Sequence, residues 1–402
     1  MADYLTKTFP GTGGTLKQCP EDFRVEEIPL YTPSGEGEHL YLEIEKTGLT
    51  TLDLLDQLAR SLGANRREMG YAGLKDARAV TRQTISLTGV RPEQALALDI
   101  AGVKVLSAHY HRNKLRTGHL AGNRFVIRLR QVLPDALDRA RDILHVLAIT
   151  GVPNYFGEQR YGILGNSHLV GKAIVAEDFN TAIDHIIGEP KIISNPDWQN
   201  AAATYLQGDF DRARQLLPRG MGNEARLLSQ LARGLSAEKA LFGLPHKLLR
   251  LYLSAYQSFL FDRIVTMRLA SLETLWPGDL AYRHDSGACF LVENPEREQP
   301  RADRLEISPS APLYGFKVTL AQGQAGLLET SLLDKEGLCR DSFRLSRGLA
   351  LEGARRPIRI PLGEIATSME GDALRLAFTL PKGSYATSVL REIMKTNPLK
   401  NQ

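Results

Sequence analysis

The chain has 402 residues, 43% of them hydrophobic and 24% charged, with 35 Gly, 20 Pro and a formal net charge of +4 at pH 7. That length exceeds one ordinary core and fits two or three domains of roughly 100 to 200 residues, and the composition excludes fibrous, low-complexity and disordered classes. The mildly basic balance permits an anionic partner without requiring one.

In chain order, "PGTGGT" (Pro10 to Thr15) lacks the GK[ST] ending of a phosphate loop and reads as a flexible turn. "FRVEEIPL" (Phe23 to Leu30) and "HLYLEIEKT" (His39 to Thr47) alternate apolar and polar residues as half-buried strands do, with the glycine-rich "SGEGE" as a hairpin-like connection. "TTLDLLDQLARSLG" reads as a helix. Thr50 with Asp53 resembles a capping box, Leu52, Leu55, Leu58 and Leu62 form the apolar stripe, and Gly63 ends it. "EMGYAGLKDARAVTRQTISLTG" reads as strand, loop, strand, with Asp76 on the loop. In "AHYHRNK" His109 and His111 have no acidic or cysteine partner at ligand spacing, so a partly exposed strand is expected there and no metal. "GNRFVIRLRQV" (Gly122 to Val132) is a clean alternation with Arg124, Arg128 and Arg130 on one face, either phosphate contacts or a solvated row. The first region is therefore α+β.

From about Pro153 to Ile358 helical periodicity dominates. "HKLLRLYLSAYQSFLFDRIVTMRL" is the longest helical pattern, striped by Leu248, Tyr252, Ala255, Tyr256 and Phe259, and "YGFKVTLA" reads as a later strand. The tail "PIRIPLGEIATSMEGDALRLAFTLPKGSYATSVLREIMK" returns to strand alternation and closes with a short helix. The expected organisation is one domain from residues 1–152 and 359–402, interrupted by an inserted, mostly helical domain at 153–358.

The three cysteines, Cys19, Cys289 and Cys339, are far apart, with no CxxC pair and no metal spacing. No run approaches the ~18 apolar residues of a membrane span. A cytoplasmic protein without membrane contact is expected. No GxSxG elbow occurs, and no cysteine sits in a nucleophile context. The chemistry concentrates in "GLKDARAVTRQ" (Gly73 to Gln83), one carboxylate among Lys75, Arg78 and Arg82. Neighbouring cations hold a nucleophilic carboxylate ionised. A structural ion pair predicts the same pattern, so the local chemistry leaves both readings open.

The motif does not stand alone. "LKQCPEDFRVEEI" (Leu16 to Ile28), "GLKDARAVTRQ", "KLRTGHLAGNRFVIRLR" (Lys114 to Arg130), "NYFGEQRYG" (Asn154 to Gly162), "RLYLSAYQSFLFD" (Arg250 to Asp262) and "LPKGSYATSVLRE" (Leu380 to Glu392) resemble, in order, six motifs of the TruD family of tRNA pseudouridine synthases. The resemblance implies an α+β pseudouridine synthase catalytic domain, its mixed and mainly antiparallel sheet built from both chain ends, with an inserted TRUD-type domain. It implies isomerisation of uridine to pseudouridine at position 13 of the tRNA D arm, with no cofactor and no metal, by a monomer. Asp76 matches the nucleophile. Phe23, Asn123 and Tyr385 match contacts to the target nucleotide, Phe125 the aromatic against the target base, and Lys17 a basic active-site residue. Tyr385 stands where the family usually has phenylalanine, and Asp262 where it usually has asparagine.

Asp76 would attack C1′ or abstract a ribose proton; both routes need a carboxylate and a pocket that keeps the detached base. Arg78 or Arg82 is expected as its supporting cation, because the adjacent Lys75 points away along an extended loop. In "NYFGEQRYG" the aromatics Tyr155, Phe156 and Tyr161 are expected to pack, leaving Arg160 as a candidate RNA contact. Two other classes compete: an RNA-binding or RNA-folding protein for which isomerisation is incidental, and a metal-dependent nuclease, which lacks paired acidic ligands beside Asp76.

Overall fold

In the computed structural model, which describes residues 3–396, the alternating segments become strands β1 (Gly13–Thr15), β2 (Phe23–Pro29), β3 (His39–Thr47), β4 (Gly70–Tyr71), β5 (Val80–Leu87), β6 (Val103–His111) and β7 (Leu120–Val132). Two strands from the tail, Gly363–Glu370 and Ala373–Pro381, join them in a nine-stranded sheet. Its order is Gly363–Glu370, Ala373–Pro381, β7, β2, β5, β3, β6, with β1 pairing β7 and β4 pairing β5. Only β2 and β5 run parallel. The sheet is thus mixed, mainly antiparallel and drawn from both chain ends, as the sequence implied.

Register fixes which side chains share a face, because successive residues of a strand point to opposite sides. One row runs Lys46, Thr81, Val25, Phe125, Phe378 across β3, β5, β2, β7 and the strand Ala373–Pro381. On this face two apolar cores form. The helix α1 (Thr51–Leu62) lays Leu54, Leu55 and Leu58 on Leu40, Leu42, Ile44, Ile85 and Leu87. At the other end Phe23, Phe125, Ile127, Leu376 and Phe378 pack with Ile143 and Leu147 of a helix over Ala136–Thr150 and with Val389 and Leu390 of another over Ala386–Met394. Between the cores the inward positions turn polar: Lys46, Thr81, Gln83, Glu27 and Asn123. Gly122 is required beside Asn123, since a Cβ there would overlap the Leu380 carbonyl of the neighbouring strand.

The opposite face carries ion pairs. Glu45, Arg82, Glu26 and Arg124 lie in one register row, with Arg82 2.9 Å from Glu45 and 3.8 Å from Glu26. Arg124 lies 3.9 Å from Glu364, and Arg128 2.6 Å from Glu370. Arg130 lies 2.8 Å from the buried Asp22. The basic row is a ladder of partnered charges.

Several local expectations are corrected. β2 and β3 form no hairpin, because β5 lies between them. The glycines of "PGTGGT" do not simply turn; Gly13–Thr15 pairs with β7, a long-range contact that overrides local preference. The Thr50 cap and the Gly63 stop (φ 64) are present in α1, but Leu52 is exposed and Leu54 faces the core. "YGFKVTLA" forms no strand. The strand is the preceding Ile307–Leu313, whose Pro309 and Pro312 disguised it.

The chain forms two compact units, Met1–Val152 with Ile360–Gln402, and Pro153–Arg359. Arg359 therefore falls in the second unit, where its guanidinium donates to the Ala302 carbonyl. That unit is mostly helical, with a four-stranded antiparallel sheet. Its longest helix, His246–Met267, buries Leu249, Leu253, Leu260 and Ile264 besides Tyr252, Ala255 and Tyr256, a wider face than one stripe. Asp262 accepts from the Phe156 amide at 3.0 Å and the Tyr161 hydroxyl at 2.6 Å, and Arg160 donates to Ser258 and Ser254 of the same helix. "NYFGEQRYG" is bonded to this helix, Arg160 included.

Candidate active site

The loop between β4 and β5, residues 72–79, passes the polar gap between the two cores. Its attachments run inward. The Lys75 amide donates to Thr51 Oγ1 at 2.8 Å, and Thr51 donates on to Gln83 at 3.0 Å. The Lys75 ammonium lies 2.6 Å from Glu27, both side chains almost wholly buried, and the other Glu27 oxygen takes the Thr84 amide at 2.9 Å. Lys75 thus points away from Asp76, as the extended loop predicts.

Asp76 remains, with 35% of its side chain exposed. Its Oδ2 is in a short ion pair with the buried Lys17 ammonium, and its Oδ1 accepts the Arg78 amide at 3.1 Å. Burial alone would push this carboxyl up; the Lys17 hydrogen bond and charge, with the backbone N–H groups of Arg78 and Ala77, hold it below the ordinary carboxylate value. The expected supporting cations are therefore corrected. Arg82 is committed to Glu45 and Glu26 on the far face, because strand alternation turns it away. Arg78 contributes its backbone N–H to Asp76. The cation is Lys17, 59 residues upstream.

Lys17 also ties the carboxylate to the aromatic wall. Its ammonium lies 4.5 Å from the Phe23 ring centroid, Phe23 meets Phe125 edge-on at 6.2 Å, and Phe125 lies 5.5 Å from Phe378. Lys17 itself holds a left-handed backbone, φ 56, a cost of roughly 1–2 kcal/mol that the surrounding packing sustains. Two residues before Phe125 on the same face of β7, Asn123 keeps a buried Oδ1 with no hydrogen-bond partner among the described residues. Tyr385, half-buried, opens the helix Ala386–Met394 after the strand Ala373–Pro381. Asp76, Lys17, Phe23, Phe125 and Asn123 thus gather along one side of the sheet, whereas Arg82 and the arginine row do not.

Four participants escaped the sequence reading: Lys46, Glu27, Thr51 and Gln83. Three of them carry a readable signal, a polar residue at an inward position of a strand that otherwise alternates apolar. Lys46 is wholly buried and donates to the Leu49 carbonyl and, at 3.0 Å, to the Asp76 carbonyl. A cavity of about 350 Å³ opens beside Glu27 and Gln83 and is walled further by Tyr31, Tyr41, Glu43 and His109, so it lies off the Asp76 carboxylate.

A family model described as tRNA pseudouridine synthase D (TruD) matches residues 1–393. The tRNA pseudouridine synthase D of Syntrophotalea carbinolica is 61% identical over 397 residues, covering 99% of this chain and all of that protein. That of Geobacter sulfurreducens is 53% identical over 393 residues, covering 98% and 96%. A crystal structure of a Methanosarcina mazei protein, titled "Putative tRNA pseudouridine synthase D (TruD)", superposes with TM-score 0.82 at 30% identity, covering 99% of this chain and 97% of that one.

Proposed function

Since the chain belongs to the TruD family of tRNA pseudouridine synthases, we propose that it acts at uridine 13 of the tRNA D arm, with Asp76 as nucleophile on a flipped-out uridine. The overall reaction of this enzyme is the isomerisation of uridine to pseudouridine in tRNA. The N1–C1′ bond breaks, a C5–C1′ bond forms, C5 loses a proton and N1 gains one. Atoms and electrons balance without cofactor or co-reactant.

The observation that carries the assignment is the Asp76–Lys17 pair at the edge of an aromatic wall. The carboxylate is ionised at neutral pH and partly open to solvent, as a group that must meet a ribose has to be. Lys17 stays buried beneath it and supports the charge as the glycosidic bond weakens. Phe23 and Phe125 offer flat surface to the detached uracil, and Asn123 Oδ1, without a hydrogen-bond partner among the described residues, is an acceptor for its N3–H. Tyr385 adds a further stacking face. Extruding a base from folded RNA costs a few kcal/mol. The Arg78 guanidinium, exposed on the loop and in no ion pair among the described residues, is placed to offset part of this by meeting a phosphate.

The two compact units support a catalytic domain built from both chain ends, 1–152 with 360–402, and an inserted domain at 153–359. A monomeric, cytoplasmic enzyme acting on tRNA is the matching cellular reading. Mapping pseudouridine across total RNA from cells with and without the gene tests substrate and site together: the proposal expects loss at tRNA position 13. Unchanged position 13 with loss elsewhere would assign another target.

A further inference from the structure

Lys46 is the inward residue that ends the series Leu40, Leu42, Ile44 on β3, and it is 0% exposed. No carboxylate forms an ion pair with it among the described residues. Its ammonium is held by two peptide carbonyls, those of Leu49 and of Asp76 itself. A buried charge without a salt-bridge partner is expensive, and a methionine of similar length would fill this space without that cost. What the charge does here is local. Leu49 precedes the Thr50 cap of α1, so one ammonium pins the start of α1 to the peptide that carries the reacting carboxylate. The Lys75–Thr51–Gln83 bonds stitch the same two segments one residue earlier.

We propose that Lys46 is a positioning residue for catalysis: by gripping the Asp76 carbonyl from below, it sets the direction in which the carboxylate leaves the loop toward C1′. The inference rests on Asp76 as the reacting group. Lys17 then acts on the carboxylate and Lys46 on its backbone, two cations with separate tasks. Burial drives the Lys46 ammonium down to about 8, against an opposing pull from the Asp76 charge, with Lys75 lowering it further and Asp53 raising it. Asp76 and Asp53 are both held below the ordinary carboxylate value, and Lys75 is paired with Glu27.

The test compares wild type, Lys46→Met, Lys46→Arg and Asp76→Asn on an unmodified tRNA transcript, measuring kcat, tRNA Kd and the thermal midpoint. Lys46→Met is expected to lose roughly tenfold or more in kcat, because a small misplacement of a reacting group costs up to about a hundredfold, while tRNA Kd stays within about threefold and the midpoint is not lowered. Lys46→Met with wild-type kcat, or with kcat, binding and midpoint all reduced together, overturns the proposal. Lys46→Arg guards against misfolding of the neutral variant: it keeps the charge and donors, so it is expected to retain activity and to lack the fall in rate expected of wild type above about pH 8. An identical alkaline profile in both proteins also overturns it. Asp76→Asn separates the two claims, since activity in that variant refutes the nucleophile, whereas an inactive Asp76→Asn beside a fully active Lys46→Met refutes only the positioning role.

Discussion

Replacing Lys17 with methionine removes the cation from Asp76 while keeping the apolar stem against Phe23. Two unit charges about 3 Å apart attract by about 5 kcal/mol at an effective dielectric of 20 and by about 1 kcal/mol in water. Because 35% of the Asp76 side chain is exposed, the lower part of that range applies, about 1–2 kcal/mol after solvent screening. In the variant the upward push of burial is no longer opposed by the Lys17 hydrogen bond and charge, so the carboxyl titrates at higher pH than in wild type. The sign follows. A carboxyl depressed in the folded state adds stability above its unfolded pKa, and that stability disappears as pH falls through the folded value. As pH is lowered from 7, the acid limb of the single-turnover rate should therefore appear at higher pH in Lys17→Met than in wild type, because Asp76 protonates earlier without the Lys17 charge. The assay is rapid-quench pseudouridine formation as pH is lowered. An acid limb at the same pH in both proteins would refute the ion-pair account.

Three other substitutions probe separate parts of the structure. Glu27→Gln leaves the buried Lys75 ammonium without its carboxylate and should destabilise the fold by about 3–5 kcal/mol in denaturant unfolding; an unchanged transition would show the pair to be dispensable. Arg82→Ala removes an arginine paired on the face away from Asp76, so pseudouridine formation should stay within about twofold of wild type and stability within about 1 kcal/mol, and a hundredfold loss would reinstate Arg82 as an active-site cation. Phe125→Ala truncates a ring that is only 7% exposed between Phe23 and Phe378 and should cost about 3–5 kcal/mol of stability. Phe125→Leu keeps most of that packing but no aromatic face, so its loss should appear in kcat more than in stability.

The strands were legible because their burial is one-sided: β2, β3 and β7 alternate as half-buried strands do, and α1 announces both ends with Thr50 and Gly63. What the alternation could not convey is pairing order. β5 enters between β2 and β3 through contacts of long sequence separation, so the local hairpin signal misled. Proline hid the strand Ile307–Leu313 for a related reason, since its pairing on both sides is set by tertiary neighbours. At the site, Asp76 was visible from its charged surroundings, but the nearest cations in sequence were the wrong ones. Arg82 follows the strand's alternation to the far face, and Lys17 arrives from a distant segment that only the family resemblance singled out. Lys46, Gln83 and Glu27 were readable in principle. Each is a polar residue at an inward register, and together with Asn123 they mark the gap between the cores where the catalytic loop sits.

The central claim is that the Asp76 carboxylate carries out the chemistry, and the rate of pseudouridine formation by Asp76→Asn on an unmodified tRNA transcript tests it most directly. The substitution keeps the shape of the side chain and removes the charge that Lys17 supports. The account predicts no pseudouridine above background with tRNA binding retained. Formation at the wild-type rate would contradict it.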